Sequence, residues 1–217
     1  MSDSAAELTL WGGGTVRTFR AHWMLHELGL DYEPQLIGSR TGETQSEAFR
    51  ALNPKEKIPV LVDGALVLSE SAAIITYLAD RYGAGTGLTP EPRTEERAHY
   101  DEWTSFILME LDAHTLYVMR RHRDLAKLYG EAPAAIEAAI AGFQKQVAVA
   151  EGALATRDVL IGEQFSAVDL LLTSCLDWAV LYQVDIPERL DAYRRHHHQR
   201  PAYRSAHELN FSVSPGA

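Results

Sequence analysis

The stretch KIPVLVDGALVLSES, residues 57–71, leaves the chain few choices of fold. Ile58, Val60, Leu61 and Val62 make an apolar, β-branched run. Asp63-Gly64 is the dipeptide that a tight hairpin favours, and Ala65 to Leu68 return as a second strand. Ser69, Glu70 and Ser71 then stand before SAAIITYLADRY, in which Ile74, Ile75, Tyr77, Leu78 and Tyr82 recur at helical spacing.

Two features of this stretch point to a ligand. Pro59 heads a strand, where it removes a ladder donor. A proline there is often cis, which leaves the main chain of Ile58 free to pair with something else. Glu70-Ser71 sets a hydroxyl and free amide groups at a helix N-terminus, a site suited to a carboxylate. The plainer alternative is that Ser69 or Ser71 only caps the helix.

Ahead of this stretch, Leu8 to Trp11 read as a strand, and Gly12-Gly13-Gly14-Thr15 as a flexible loop. The triple glycine matches neither a P-loop nor GxGxxG spacing. A helix follows with Phe19, Trp23, Leu25 and Leu28 on its apolar face and Gly29 closing it. Asp31 to Ile37 read as an edge strand because of Pro34, and Glu47 to Leu52 as a short helix. The chain thus opens β-α-β and continues β-β-α, a thioredoxin-like order with a mixed four-stranded sheet. Residues 84–92 are rich in Gly, Pro and Thr and read as a linker. Helices are expected over 93–128, 134–156, 169–182, 187–200 and 202–209. The divisions are therefore an α/β domain over 1–83 and an all-helical bundle over 93–217.

NPKEKIPVLVDGALVLSESAAIITYLADRY, positions 53–82, resembles the glutathione-binding half of a bacterial glutathione S-transferase. LTLWGGGTVRTFRAHWMLHELGLDYE resembles the first strand, active-site loop and first helix of the same family. There the loop supplies a Ser, Tyr or Cys to the glutathione sulfur. This loop has none, and its hydroxyls are Thr15 and Thr18. Thr15 lies nearest the family's serine position, Thr18 is the second candidate, with an N-cap as its plainer reading, and Arg17 is a third. The resemblance implies glutathione as co-substrate, its γ-glutamyl carboxylate on Ser71, its amine near Glu70, its cysteinyl main chain along Ile58 before a cis Pro59, and its glycine carboxylate near Lys57. It matches Asp101 to an aspartate that reaches the partner's glutathione in related dimers. It implies a homodimer and an electrophile bound between the domains, near Trp11, Tyr100, Trp103 and Tyr117. In FSAVD, Ser166 and Asp169 resemble the family's capping box.

The implied activity is transfer of the glutathione thiol to a small hydrophobic electrophile. Two alternatives are glutathione-dependent disulfide or peroxide reduction, and glutathione binding without turnover. A net charge of −10 argues against nucleic acid as a partner. Cys175 is the single cysteine, set in an apolar helix, and reads as structural; a reducing cytoplasm fits. The N-terminal stretch lacks the pattern of a leader, and no run is long enough to span a membrane. Adjacent His196, His197 and His198 point to different sides of a helix, so no metal site is expected.

Overall fold

The structure, a computed structural model, describes residues 8–213. Most of the N-terminal stretch read for a leader lies outside the described residues. Two compact units divide the chain: residues up to Ala84 together with those from Arg200 onward, and Gly85–Gln199.

In the first unit, β1 (Leu8–Trp11) pairs in parallel with β2 (Glu33–Gln35) and antiparallel with β3 (Val60–Asp63). With β4 (Leu66–Ser69) the sheet order is β2-β1-β3-β4. Pro34 sits in β2, at an edge where a missing N–H costs no ladder bond. The parallel pair needs a crossover, which is α1 (Val16–Glu27). Asp63 pairs with Leu66, so Gly64-Ala65 make the turn, and Gly64 takes the positive φ of 57° that the turn needs. The Asp63 carboxylate then accepts the Tyr77 and Tyr82 hydroxyls, each at 2.6 Å, tying the hairpin to α3 (Ser71–Tyr82). Leu10, Val60 and Leu61 of the sheet and Phe19, Trp23, Ile74, Ile75 and Leu78 of the helices form the core.

The last helix, α10 (Pro201–Asn210), belongs to this unit rather than to the helical bundle in which its place in the sequence sets it. Tyr203 meets the Phe19 and Trp23 rings at 5.2 and 4.9 Å. Arg200 grips Glu27 through two bonds, at 2.6 and 2.8 Å, and the Trp23 indole donates to the same carboxylate. A partly shielded bidentate pair beside stacked rings holds α10 against α1 far better than a solvated charge pair would.

The second unit is helical. The long helix expected over 93–128 is divided: α4 (Glu95–Phe106), a π-wound segment (Ile107–Leu116), α5 (Tyr117–His122) and, after a turn, α6 (Ala126–Tyr129). The Thr115 hydroxyl donates to the Leu111 carbonyl inside the π segment, competing with the regular ladder. α7 (Pro133–Ala153) starts on a proline, which fits a first turn. α8 (Ala167–Leu181) is buried on every side from Ala167 to Leu176, as a central helix must be, and α9 (Glu188–His197) follows. Cys175 is buried within α8. Asp169 reaches back to the Ser166 amide and hydroxyl at 2.8 and 2.7 Å. It also takes the Leu160 amide and the Tyr193 hydroxyl, at 2.8 and 2.7 Å. Burial pushes this carboxyl above the ordinary range while those bonds oppose the shift. Among the described residues no helix is long and apolar enough to cross a membrane.

Asp169→Ala strands several buried donors at once. It is expected to cost about 3 kcal/mol, against about 1 kcal/mol for Ser166→Ala, read as urea midpoints at unchanged slope.

Candidate active site

The site is built in the first unit from the loop after β1, the turn before β3 and the start of α3. The triple-glycine loop is not flexible. The amides of Gly12, Gly13 and Gly14 donate to the carbonyls of Gln35, Ile37 and Asn210, at 2.8, 2.9 and 2.7 Å. Its backbone approach is real but internal. A Cβ on Gly12, which has a φ of 124°, would sit 2.6 Å from Thr18 Cγ2 and 2.7 Å from Ile58 Cβ. With every amide committed, the loop offers no phosphate cradle.

Thr15 is the N-cap of α1, half-buried, with its hydroxyl accepting the Thr18 amide at 3.1 Å. The two threonines form a capping box, since the Thr18 hydroxyl accepts the Thr15 amide at 3.1 Å. Thr18 is fully buried and its hydroxyl also meets Asn210 Oδ1 at 2.7 Å. Its hydroxyl is thus engaged within the first unit, and Thr15 rather than Thr18 is the N-cap of α1, which corrects the reading of Thr18 as the cap. Arg17 lies in the first turn of α1, half-buried.

The Ile58–Pro59 peptide is cis, and among the described residues no group is bonded to the Ile58 main chain. Next to it the Asn53 side chain donates to the Lys57 carbonyl at 2.7 Å and fixes the turn. Glu70, the N-cap of α3, holds a φ of 76°, a strained conformation for a residue with a side chain. The Ile74 amide takes up the ladder at 2.9 Å, so those of Ser71, Ala72 and Ala73 have no partner within the helix. The Ser71 hydroxyl lies 3.4 Å from a guanidinium nitrogen of Arg20, which is wholly buried behind it. A cation behind a helix N-terminus deepens its attraction for an anion.

Sequence reasoning missed Lys55. Its ammonium meets Ser69 Oγ at 2.8 Å and the Glu70 carboxylate at 2.5 Å, in a pair that is largely exposed. Lys57, the residue named for the glycine carboxylate, is exposed and has no side-chain partner among the described residues. Two lysines two positions apart carry no spacing that tells them apart. Asp101 lies in the second unit, exposed on α4 and 3.3 Å from Arg97 Nε. Of the aromatics named for an electrophile, Trp11 meets Phe49 edge-on at 6.1 Å in the first unit. In the second, Tyr100 is buried, while Trp103 is half-buried against Phe106 at 5.5 Å; Tyr117 opens α5, half-buried. Of the three adjacent histidines, His196 meets the His197 ring at 5.3 Å, His197 meets the Tyr193 ring at 4.4 Å, and His198 turns to Asp177 at 2.8 Å. Among the described residues no group of three or more His, Cys, Asp or Glu could hold a metal ion.

Behind the loop runs a directed chain of hydrogen bonds. The Gly12 carbonyl can only accept, so His22 Nε2 donates to it at 2.9 Å. His22 Nδ1 then accepts the Tyr32 hydroxyl at 2.7 Å. The Tyr32 oxygen lies 3.2 Å from His26 Nε2, and His26 Nδ1 lies 2.6 Å from the Ser205 hydroxyl of α10. Burial lowers the His22 pKa to about 4, with the bond to Gly12 opposing and the nearby His26 adding to the shift. Burial also lowers His26.

Residues 6–80 match the family model for the glutathione S-transferase N-terminal domain, and residues 106–198 match that for the C-terminal domain. Glutathione S-transferase 3 of Zea mays is 34% identical over 157 residues, which cover 69% of this chain and 68% of that protein. The fold matches the crystal structure of the glutathione transferase URE2P6 from Phanerochaete chrysosporium in complex with oxidized glutathione, with a TM-score of 0.86 over 98% of this chain and all of that one, at 22% identity. The theta class glutathione S-transferase from Xanthomonas axonopodis pv. citri with glutathione bound matches with a TM-score of 0.78 at 28% identity, over 97% of this chain and 100% of that one.

His22 takes up no second ring proton in the folded protein until the pH nears 4, whereas in the unfolded chain it titrates near 6.5. Its contribution is thus complete above pH 6.5 and drains away as the pH falls toward 4, up to about 3 kcal/mol. His22→Gln keeps a donor for Gly12 without a titrating ring. Urea unfolding across that window is expected to show a shallower fall in stability for this variant.

Proposed function

The chain belongs to the glutathione S-transferase family, and from that premise we propose that it holds glutathione against Ile58, with its sulfur at the Thr15 hydroxyl. It is a glutathione transferase, with glutathione as co-substrate. The amide end of α3 carries the reading: the amides of Ser71, Ala72 and Ala73 have no partner within the helix, and the buried Arg20 guanidinium lies 3.4 Å from the Ser71 hydroxyl. That arrangement suits the γ-glutamyl carboxylate. Glu70 lies beside it for the amine. The unbonded main chain of Ile58 suits an antiparallel cysteinyl backbone, and Lys57 with Lys55 offers positive charge to the glycine carboxylate.

Chemistry begins with the thiol. A free thiol has a pKa of ~8.5, so a few per cent is thiolate at neutral pH. One hydrogen bond to the charged sulfur, about 1.5–3 kcal/mol, lowers that pKa by roughly one to two units. Thr15, half-buried at the start of α1, supports this role with its hydroxyl. The thiolate then attacks a small hydrophobic electrophile. A homodimer, with Asp101 facing the partner's glutathione, and a cytoplasmic, bacterial setting complete the reading, on the resemblance of RAHYDEW and the loop sequence to the bacterial family.

Thr15→Ala is expected to lower kcat by on the order of tenfold or more while the glutathione Kd moves less than about threefold, because the bond favours the thiolate over the thiol. The lost cap, about 1 kcal/mol, is read separately from unfolding. Wild-type turnover in this variant would reject Thr15. Calorimetry with millimolar glutathione tests the site as a whole, and the absence of saturation would remove it. Sedimentation at micromolar concentration is expected to give the mass of two chains.

A further inference from the structure

Glu70 stands at the N-cap of α3 and yet does not cap it. A side-chain oxygen at that place ordinarily accepts from the first amides of the helix, but the Glu70 carboxylate makes no such bond. It is held instead by Lys55. The Lys55 ammonium donates to Glu70 Oε1 at 2.5 Å and to Ser69 Oγ at 2.8 Å, so it spans the last residue of β4 and the residue before α3.

The turn before β3 sets this lysine in place. The buried Asn53 side chain accepts the Lys55 amide at 3.2 Å and donates to the Lys57 carbonyl at 2.7 Å. Glu56, the other carboxylate of the turn, is taken by Arg50 Nε at 2.8 Å and does not draw Lys55 away. A carboxylate left alone at Glu70 would be an anion beside the positive end of a helix. It would be drawn to the amides of Ser71, Ala72 and Ala73, and it would repel a carboxylate brought to them. The Lys55 ammonium opposes both effects, because it offsets the charge and engages one oxygen. Glu70 Oε2 has no partner among the described residues and remains an acceptor.

We infer that Lys55 is a positioning residue of the glutathione site. It holds the Glu70 carboxylate away from the amide end of α3, so that the ligand's carboxylate takes the amides and its amine takes Glu70. The inference rests on the reading of α3 given above. To the charge that Lys55 shares with Lys57 it adds a task at the γ-glutamyl end of the tripeptide.

The test is calorimetric titration of the full-length chain at low salt, with glutathione and with the analogue that lacks the α-amine and so has no use for Glu70. The two side chains of the pair are 49% and 73% exposed, so the variants keep the fold. Lys55→Met is expected to raise the Kd of the analogue by about three- to fivefold, the upper range of what an exposed ion pair supports. In a Glu70→Gln background, where no carboxylate remains to be held, the same substitution is expected to change it by less than about twofold. Wild-type affinity for the analogue in Lys55→Met overturns the inference. An equal loss in both backgrounds also overturns it, since Lys55 would then act on the ligand itself. An analogue that fails to displace glutathione from the wild-type protein overturns it as well, because the carboxylate end would then carry no affinity of its own. A wild-type protein that does not saturate with glutathione sinks the reading of the site and this inference together. Saturation with no effect of Lys55→Met sinks this inference alone.

Discussion

Residue 12 has no room for a side chain, and the site depends on that. A Cβ there would fall within 2.7 Å of Ile58 and Thr18, distances that side chains do not tolerate. The close approach lays the loop after β1 against the turn before β3, so that a hydroxyl from one and an unpaired main chain from the other share a neighbourhood within a single compact unit. The same glycine is fixed on both sides. Its amide is held by Gln35 at the end of β2 and its carbonyl by His22 from α1. A neutral imidazole suits this place, because one nitrogen must donate to Gly12 and the other must accept from Tyr32. A proton on the second nitrogen would force the Tyr32 hydroxyl to turn away.

Parts of this were legible in the sequence because their signals are local. Asp63-Gly64, the alternation around it and the Ser71 helix lie within twenty-five residues of one another, and the hairpin, its register and the β2 edge at Pro34 follow from turn and strand chemistry. The capping box of Ser166 and Asp169 is likewise written in a four-residue stretch. What was not legible depends on contacts distant in sequence. Nothing in Pro201–Asn210 says that it packs on α1 rather than on the bundle. Its buried stripe of Tyr203, Ala206 and Asn210 would serve either surface. The rigidity of Gly12 to Gly14 was hidden for the same reason. A glycine run reads as flexible until the carbonyls of Gln35, Ile37 and Asn210 are seen to claim its amides.

Net charge was informative about partners and silent about the site. A chain at −10 repels polyanions in bulk, yet the amide end of α3 is positive within a few ångströms. The two statements concern different lengths. Screening confines the overall field to about 8–10 Å at physiological salt. Partial charges on three unpaired amides and the buried Arg20 act at contact range, where little water intervenes. The exposed Lys55–Glu70 pair at the rim is of the other kind. It is solvated, contributes at most about 1 kcal/mol, and leaves both groups free to exchange partners when a zwitterion arrives.

Threonine is an unusual residue to ask for thiol activation, because its methyl group restricts the side chain to few rotamers. In this loop the restriction is useful. The reciprocal bonds with Thr18 already hold the Thr15 hydroxyl in one place, so little rotamer freedom remains to be lost when a ligand binds. Capping does not compete with the proposed chemistry. A hydroxyl has one donor and two acceptor positions, and the cap uses only an acceptor. The proton is left over, and the Thr15 and Thr18 oxygens lie 3.0 Å apart. The last helix is held on the first by Arg200, Tyr203 and their partners, so the packing of two helices reaches the loop through one buried residue, Asn210, which bonds Gly14 and Thr15.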